Sequence, residues 1–477
     1  MTVREEMLRG MFWEAVRKCS GIVIQLGITA VLARLLTPQD FGIVAIASVS
    51  LNLLSQFSSL GIGSAIIFRQ DLSKEDLESM FSISVYTGVI LAALFFCLAR
   101  PIANFYGNES LVAICGILSV NLLFVTWNTV TGALMLKNKR FRFIAWRTLV
   151  LQVISGGAAI IAAFKGMGMY ALLIPPVFTG CMVVLINYRQ YPMRFHWRPG
   201  MASFRKIRSF SIYQFLTNLM YYFFRNTDKL VIGKYFGIAE LGYYSKAYNL
   251  MLLPMQNIVY VVSPVLLPVL APFQYDYRNL ADKSNKIVRI FVIIGFPLSV
   301  FFYHTAGDIV SIVYGDGWAP TIPVFRILAL SLPFQMSWSV TTSLFQAAGK
   351  TNWLFRRGMS DALFTVLGFI FAAIYFHTLE AMAWAWTAVS VINSLIAYVF
   401  LYKFVLRQSL QSIVHMYIKT GMWSVLLYMV LQVIISNGGI QSHLMLLIVS
   451  FAVTVAMMLL FLVLTGQTDL LRILNRR

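Results

Sequence analysis

Apolar runs of about twenty residues or more recur from one end of the chain to the other, each long enough to cross a hydrocarbon core of about 30 Å as a helix. About fourteen such spans can be marked, at roughly 10–35, 41–67, 77–99, 110–136, 143–164, 168–188, 209–235, 241–271, 287–314, 321–347, 355–376, 380–403, 412–436 and 443–465. In a bilayer each backbone amide and carbonyl must find its partner within the protein, so these runs permit a bundle of helices. The expected fold class is an all-α integral membrane protein. Composition agrees, with 59% hydrophobic and 12% charged residues and a mean hydropathy of +0.76, where ordinary soluble domains are about 45–50% apolar and about 25% charged. Connections are short, the longest being about twenty residues around 189–208. No soluble catalytic domain fits between the spans, so function must lie among the helices or at their mouths.

A net charge of +20 would point to nucleic acid in a soluble domain, so the placement of the charges decides its meaning. With the N-terminus cytoplasmic, the loops and tails on that side carry 26 Lys or Arg, and the opposite loops carry only Arg100 and Lys165. Such asymmetry marks topology, placing both termini in the cytoplasm, and leaves no case for nucleic acid as a partner. Cys19, Cys97, Cys115 and Cys181 lie in apolar spans without CxxC spacing, which indicates small core hydrophobes and no metal site. The first twenty residues lack the h-region and cleavage site of a signal peptide, so the first span is expected to be retained. Gly349-Lys350-Thr351 lacks the preceding glycine of a phosphate-binding loop, position 344 being leucine.

The chain also repeats itself. VLARLLTPQDFG (31–42) aligns with VIGKYFGIAELG (231–242) at an offset of 200, pairing Arg34 with Lys234, Asp40 with Glu240 and Gly42 with Gly242. Tyr106-Gly107 aligns with Tyr314-Gly315 at 208, and residues 131–147 align with 341–357 at 210, pairing Thr131 with Thr341 and Arg147 with Arg357. The expected organisation is an N-terminal lobe over 1–195 (helices 1–6), a C-terminal lobe over 196–410 (helices 7–12), and helices 13–14 with a tail over 411–477. Because six is even, the lobes share one orientation and a pseudo-two-fold axis along the membrane normal, an arrangement that places substrate between halves.

ARLLTPQDFGIVA after the first helix and NTDKLVIGKYFGIAELGYYSKAYNL around the seventh resemble the polysaccharide-transporter branch of the multidrug/oligosaccharidyl-lipid/polysaccharide exporter superfamily, and more narrowly the Wzx-type flippases. The resemblance spans the whole bundle. It implies two six-helix lobes arranged as a V around a central cavity in a bacterial inner membrane, with a polyprenyl-diphosphate-linked oligosaccharide as cargo. Polysaccharide polymerases and other assembly proteins are its implied partners. It implies transport rather than catalysis, with no cofactor, and leaves a proton or sodium coupling ion open.

Ionisable groups inside the spans are the candidate site, because a charge near a helix centre costs about 2.5–3.5 kcal/mol on insertion scales and normally faces the bundle interior. Arg225, Asp228 and Lys229 share a face of span seven at i, i+3 and i+4 with one net positive charge. Glu14, Arg17 and Lys18 repeat that spacing in span one, nearer the cytoplasm. Arg147 in span five and Arg326 in span ten complete the candidate cationic, diphosphate-receiving cavity, while Arg356, Arg357 and Asp361 lie in span eleven. Two structural alternatives stand beside it, with Asp228 simply pairing Arg225, or Arg17, Lys18 and Arg147 meeting lipid headgroups. Arg34, Lys234 and Lys419 are placed to snorkel to an interface.

Proline interrupts spans six (Pro175, Pro176), eight (Pro254, Pro264, Pro268), nine (Pro297) and ten (Pro323, Pro333), as hinges or static kinks. Tyr221, Tyr222, Tyr243 and Tyr244 are read as packing residues that could also stack on sugars. His304, His377 and His443 form no constellation along the chain. Three rival functions remain: a cation-coupled multidrug antiporter, which calls for an excess of buried carboxylate, a membrane polymerase or ligase, which calls for a sizeable far-side loop, and a scaffold for other biosynthetic proteins, which no sequence feature favours or opposes.

Overall fold

The computed structural model describes residues 3–59, 62–68, 72–198, 225–259, 269–437 and 442–466, with positions 215, 219, 220, 222, 223, 262 and 266. Its helices are α1 Val3–Leu35, α2 Pro38–Ser59, α3 Ile62–Phe68, α4 Lys74–Tyr106, α5 Ser110–Lys137, α6 Phe141–Phe164, α7 Ile174–Gln190 and α8, described over 225–235. They continue with α9 Ile238–Pro254, α10 Tyr277–Val313, α11 Thr321–Ala329, α12 Leu332–Ser339, α13 Thr341–Ala347, α14 Thr351–Tyr375, α15 Leu379–Tyr398, α16 Gln411–Asn437 and α17 His443–Leu464. Among the described residues there is no strand, and eleven helices are long and apolar enough to cross a membrane. The outward faces are apolar too, as with Val425, Met429 and Val433 on α16 and Leu444, Met445 and Ile448 on α17. Hydrocarbon is the solvent such surfaces require.

The sequence expectation is corrected where helices break. Span ten, read as one helix over 321–347, is three short helices, α11 to α13. Pro333 at the first turn of α12 cannot donate to the ladder, and the loosened turn is held by Ser331 Oγ on Leu328 O at 2.5 Å and Gln335 Nε2 on Ser331 Oγ at 2.6 Å. Pro175 and Pro176 interrupt nothing. A 3₁₀ turn, Gly168–Leu173, leads into α7, where both prolines occupy the first turn and their missing donors are not needed. Pro254 ends α9 in a π turn, Met255–Val259, and Pro297 is accommodated inside the continuous α10. Pro264, Pro268, Tyr221, the side chain of Glu14 and the C-terminal tail beyond 466 lie outside the described residues.

By contact the chain divides into two compact units, Met1–Gly242 and Tyr243–Arg477. In the first, α4 lies along α5, α1 lies along α6, and α7 covers α5 and α6. One core joins Ile62, Ile66, Met80, Phe81, Val130, Leu134 and Met193, and another joins Leu32, Leu36, Ala159, Ala162 and Ala171. Capping boxes start α2 (Thr37 with Asp40) and α4 (Ser73 with Asp76), so both carboxylates are committed to backbone donors. α8 groups with this unit because Tyr222 donates to Val49 O at 2.7 Å and Lys234 Nζ to Phe105 O at 2.5 Å. The contact boundary therefore falls one helix later than the repeat boundary after 195. In the second unit α10 is central, contacting α11, α12, α16 and α17.

The two segments matched at an offset of 200 meet each other. A Cβ at Gly42 would fall 1.8 Å from Ile238 O, and one at Gly242 would fall 2.1 Å from Pro38 O. Positions 38 and 238 correspond in the repeat, as do 42 and 242, so the contact is reciprocal. Only glycine permits backbones to cross this closely.

Candidate functional site

The intramembrane cations fall into different surroundings. In the first unit Arg147, one and a half turns into α6, is half-buried and reaches α7, its Nη1 donating to Asn187 Oδ1. Asn187 is fully buried and passes the contact on, Nδ2 donating to Asn128 Oδ1 of α5 at 2.7 Å, an oxygen that also faces Thr131 Oγ1 at 3.5 Å. Among the described residues nothing bonds Arg147 Nε, which is buried. Its electrostatic neighbour is a like charge, Arg17 of α1. A guanidinium is always charged, and neither the neutral amide of Asn187 nor a second cation offsets that charge. Arg17 and Lys18 are half-buried where the apolar stretch of α1 begins, Val16–Leu35, so these three cations stand at one end of the α1–α6 pair.

On α8, Arg225 is exposed, Lys229 is half-buried and Asp228 is fully buried, one oxygen accepting from the Lys229 amide at 2.8 Å. Asp228 is an electrostatic neighbour of Tyr222. Arg326 belongs to the second unit and to other company. Exposed on α11, its guanidinium is 5.9 Å from the Tyr303 ring, and it influences His304, whose ring lies 4.5 Å from that of Tyr428. His443, isolated in sequence, meets Asp308 with Nδ1 and Oδ1 2.6 Å apart.

Arg357, the repeat counterpart of Arg147, is spent on structure. It is 5% exposed, with Nε on Asp361 Oδ2 at 3.1 Å, Nη1 on Thr341 Oγ1 at 2.9 Å and on Thr342 Oγ1 at 3.1 Å, and its guanidinium 4.9 Å from the Trp338 ring. Carboxylate, hydroxyls and indole neutralise and satisfy it together. Lys246 is likewise buried between Tyr314 and Trp318, 5.3 and 5.7 Å from their rings.

Sequence reasoning on charges missed Asn128, Asn187, Gln25 and Gln152. Polar amides inside apolar helices were the available signal, since a buried amide must find a partner. It missed as well that Glu78 of α4 holds the segment after α7, with His196 Nε2 3.0 Å from Glu78 Oε2 and the His196 amide on Ser82 Oγ at 2.8 Å.

A family model described as polysaccharide biosynthesis protein matches residues 31–323. The teichuronic acid biosynthesis protein TuaB of Bacillus subtilis is 23% identical over 399 residues, covering 83% of this chain and 82% of that protein. The succinoglycan biosynthesis transport protein ExoT of Rhizobium meliloti is 23% identical over 385 residues, 79% of this chain and 76% of the other. The solved structure of the lipid II flippase MurJ, in an inward closed conformation, superposes with a TM-score of 0.76 at 16% identity over 98% of this chain and 100% of that one. That likeness is one of fold, and it agrees with the all-α membrane-protein fold class expected from the sequence.

Proposed function

Because the chain belongs to the polysaccharide biosynthesis protein family, we propose that it is a flippase. It carries polyprenyl-diphosphate-linked oligosaccharide units from the cytoplasmic to the outer leaflet of a bacterial inner membrane, by alternating access, for a surface polysaccharide. The observation that carries this reading is Arg147, bonded to the neutral amide of Asn187 beside Arg17. With both termini cytoplasmic, the cluster stands at headgroup level in the leaflet where such a lipid is assembled, and its charge receives the diphosphate there. Arg supplies a planar, permanently charged fork for phosphate oxygens, and Lys18 adds a point charge. Arg225 and Lys229 on α8 are further contacts for the same cargo, and Asp228 limits how tightly it is held.

The acids support an anionic cargo over a cationic drug. Asp40 and Asp76 cap helices, Glu78 pairs with His196, and Asp361 neutralises Arg357. The cargo leaves chemically unchanged, ready for a polymerase on the far side. Its anionic diphosphate, moving out of a negative interior, gains about 2.3 kcal/mol per charge per 100 mV, so the membrane potential favours export. The two lobes expected from the repeat are the parts that rock.

The test is to delete the gene in its native host and ask which leaflet holds the lipid-linked oligosaccharide. Complete units trapped on the cytoplasmic side, with surface polymer lost, are the expected result. Complete, unpolymerised units in the outer leaflet would replace the flippase with a polymerase. Complementation with Arg225→Glu should fail although the variant inserts normally.

A further inference from the structure

Beyond the cation cluster, α1 and α6 share a second polar group. Gln152 of α6 lays its amide on α1, Nε2 donating to Gly21 O at 2.9 Å and to Gln25 Oε1 at 3.1 Å. Gln25 Nε2 faces Thr29 Oγ1 at 3.4 Å. Both hydrogens of the Gln152 amide are thereby used, yet among the described residues nothing donates to its Oε1, and one N–H of Gln25 is also left over. Gln25 is exposed, and Gln152 and Thr29 are half-buried. Lys18, Gln25 and Thr29 recur at i, i+7 and i+11, on one face of α1.

Amides that only join helices are enclosed between them and consumed by each other. This group instead leaves a donor, an acceptor and a hydroxyl on an exposed helix face within the apolar stretch of α1. In hydrocarbon those atoms would have no partners, so the face looks onto water or a polar cargo. The register fixes its place. Arg17 neighbours Arg147, Gln25 meets Gln152, and Ile28 lies against Gly156. At 1.5 Å per residue the amides stand about 7.5 Å beyond Arg147 on α6 and about 12 Å beyond Arg17 on α1, farther from the cytoplasmic end.

We propose that Gln25, Gln152 and Thr29 form a saccharide-binding rung that takes the hydroxyls of the sugar next to the diphosphate. The assignment rests on the diphosphate reading of Arg147 and adds a specificity element to it. A sugar hydroxyl both donates and accepts, which the uncharged mixed set matches, whereas a phosphate only accepts and is served by the cations behind it.

The test uses the full chain in vesicles with two probes, undecaprenyl diphosphate bearing an oligosaccharide and undecaprenyl diphosphate bearing none. In Gln152→Met the half-saturating concentration for the sugar-bearing lipid should rise about three- to tenfold, the worth of one net hydrogen bond, with the bare lipid unaffected. Gln25→Met, at an exposed position, should give the same split and carries the test if Gln152→Met does not fold. Equal losses for both lipids, or no change for either, would make the rung a structural joint and leave the flippase standing. Failure of the unmodified protein to move the sugar-bearing lipid would remove the flippase reading, and the rung with it.

Discussion

Arg147 and Arg357 occupy matching places in the two repeats and lead opposite lives. Arg357 has a carboxylate one turn on, Asp361, and lies buried among two threonines and a tryptophan. At the place matching Asp361, 210 residues earlier, stands Leu151. Arg147 accordingly reaches across to Asn187, and two asparagines intervene where Thr341 touches its arginine directly. The same side chain is paired with a carboxylate in one copy and bonded to a neutral amide in the other. Counting charges cannot tell these apart, and a counter-ion four residues away can.

The largest effect should come from reversing the available charge. Arg147→Glu is expected to reduce transport of the sugar-bearing lipid in vesicles at least about 30-fold, the consequence of losing roughly 2 kcal/mol or more from a buried charged contact. Unimpaired transport would end the functional half of the comparison. Arg357→Ala, by contrast, strands Asp361 and should lower folding stability by about 3–5 kcal/mol, read as a fall in the melting temperature in detergent. The double variant Arg357→Met with Asp361→Met should recover most of that stability and retain transport, because neither group handles cargo. If the double variant folds yet transports nothing, Arg357 is more than a clamp.

A subtler change gives Arg147 what Arg357 has. Asn187→Asp places a carboxylate on the existing contact, and transport should drop about tenfold, within the about 4 kcal/mol that unit charges 4 Å apart exchange at an effective dielectric near 20. Thermal stability measured alongside should change little, since the new ion pair offsets the donor lost to Asn128. The smallest effect belongs to Arg147→Lys. It keeps the charge and loses the fork, so the half-saturating concentration should rise only a few-fold. A loss as large as that of Arg147→Glu would shift the role of Arg147 from charge to geometry.

Much of the fold was legible because hydrocarbon imposes length and polarity on every span. Eleven of the spans appear as continuous helical segments among the described residues, one opening with a 3₁₀ turn and one ending in a π turn. The division of span ten was less legible. Pro333 announced a break, but the turn around it depends on Ser331 and Gln335, whose side-chain bonds have no periodicity to read. At the site the cations stood out by cost, while Asn128, Asn187, Gln25 and Gln152 did not, because an amide is cheap enough to pass as an ordinary polar residue. Their roles depend on which helices are neighbours, and the alignment of α1 with α6 is a tertiary fact.

The crossing at Gly42 and Gly242 has a bearing on symmetry. When residue i of one segment meets j of another and the counterpart of j meets the counterpart of i, the pattern is that of a single surface meeting its own copy about a two-fold axis. The two joints ask nothing of their surroundings except the lack of a side chain, so neighbouring residues can drift without disturbing them. In a pair of identical chains one mutation would strike both joints together. Within one chain each joint can change alone, and this sequence carries glycine at both.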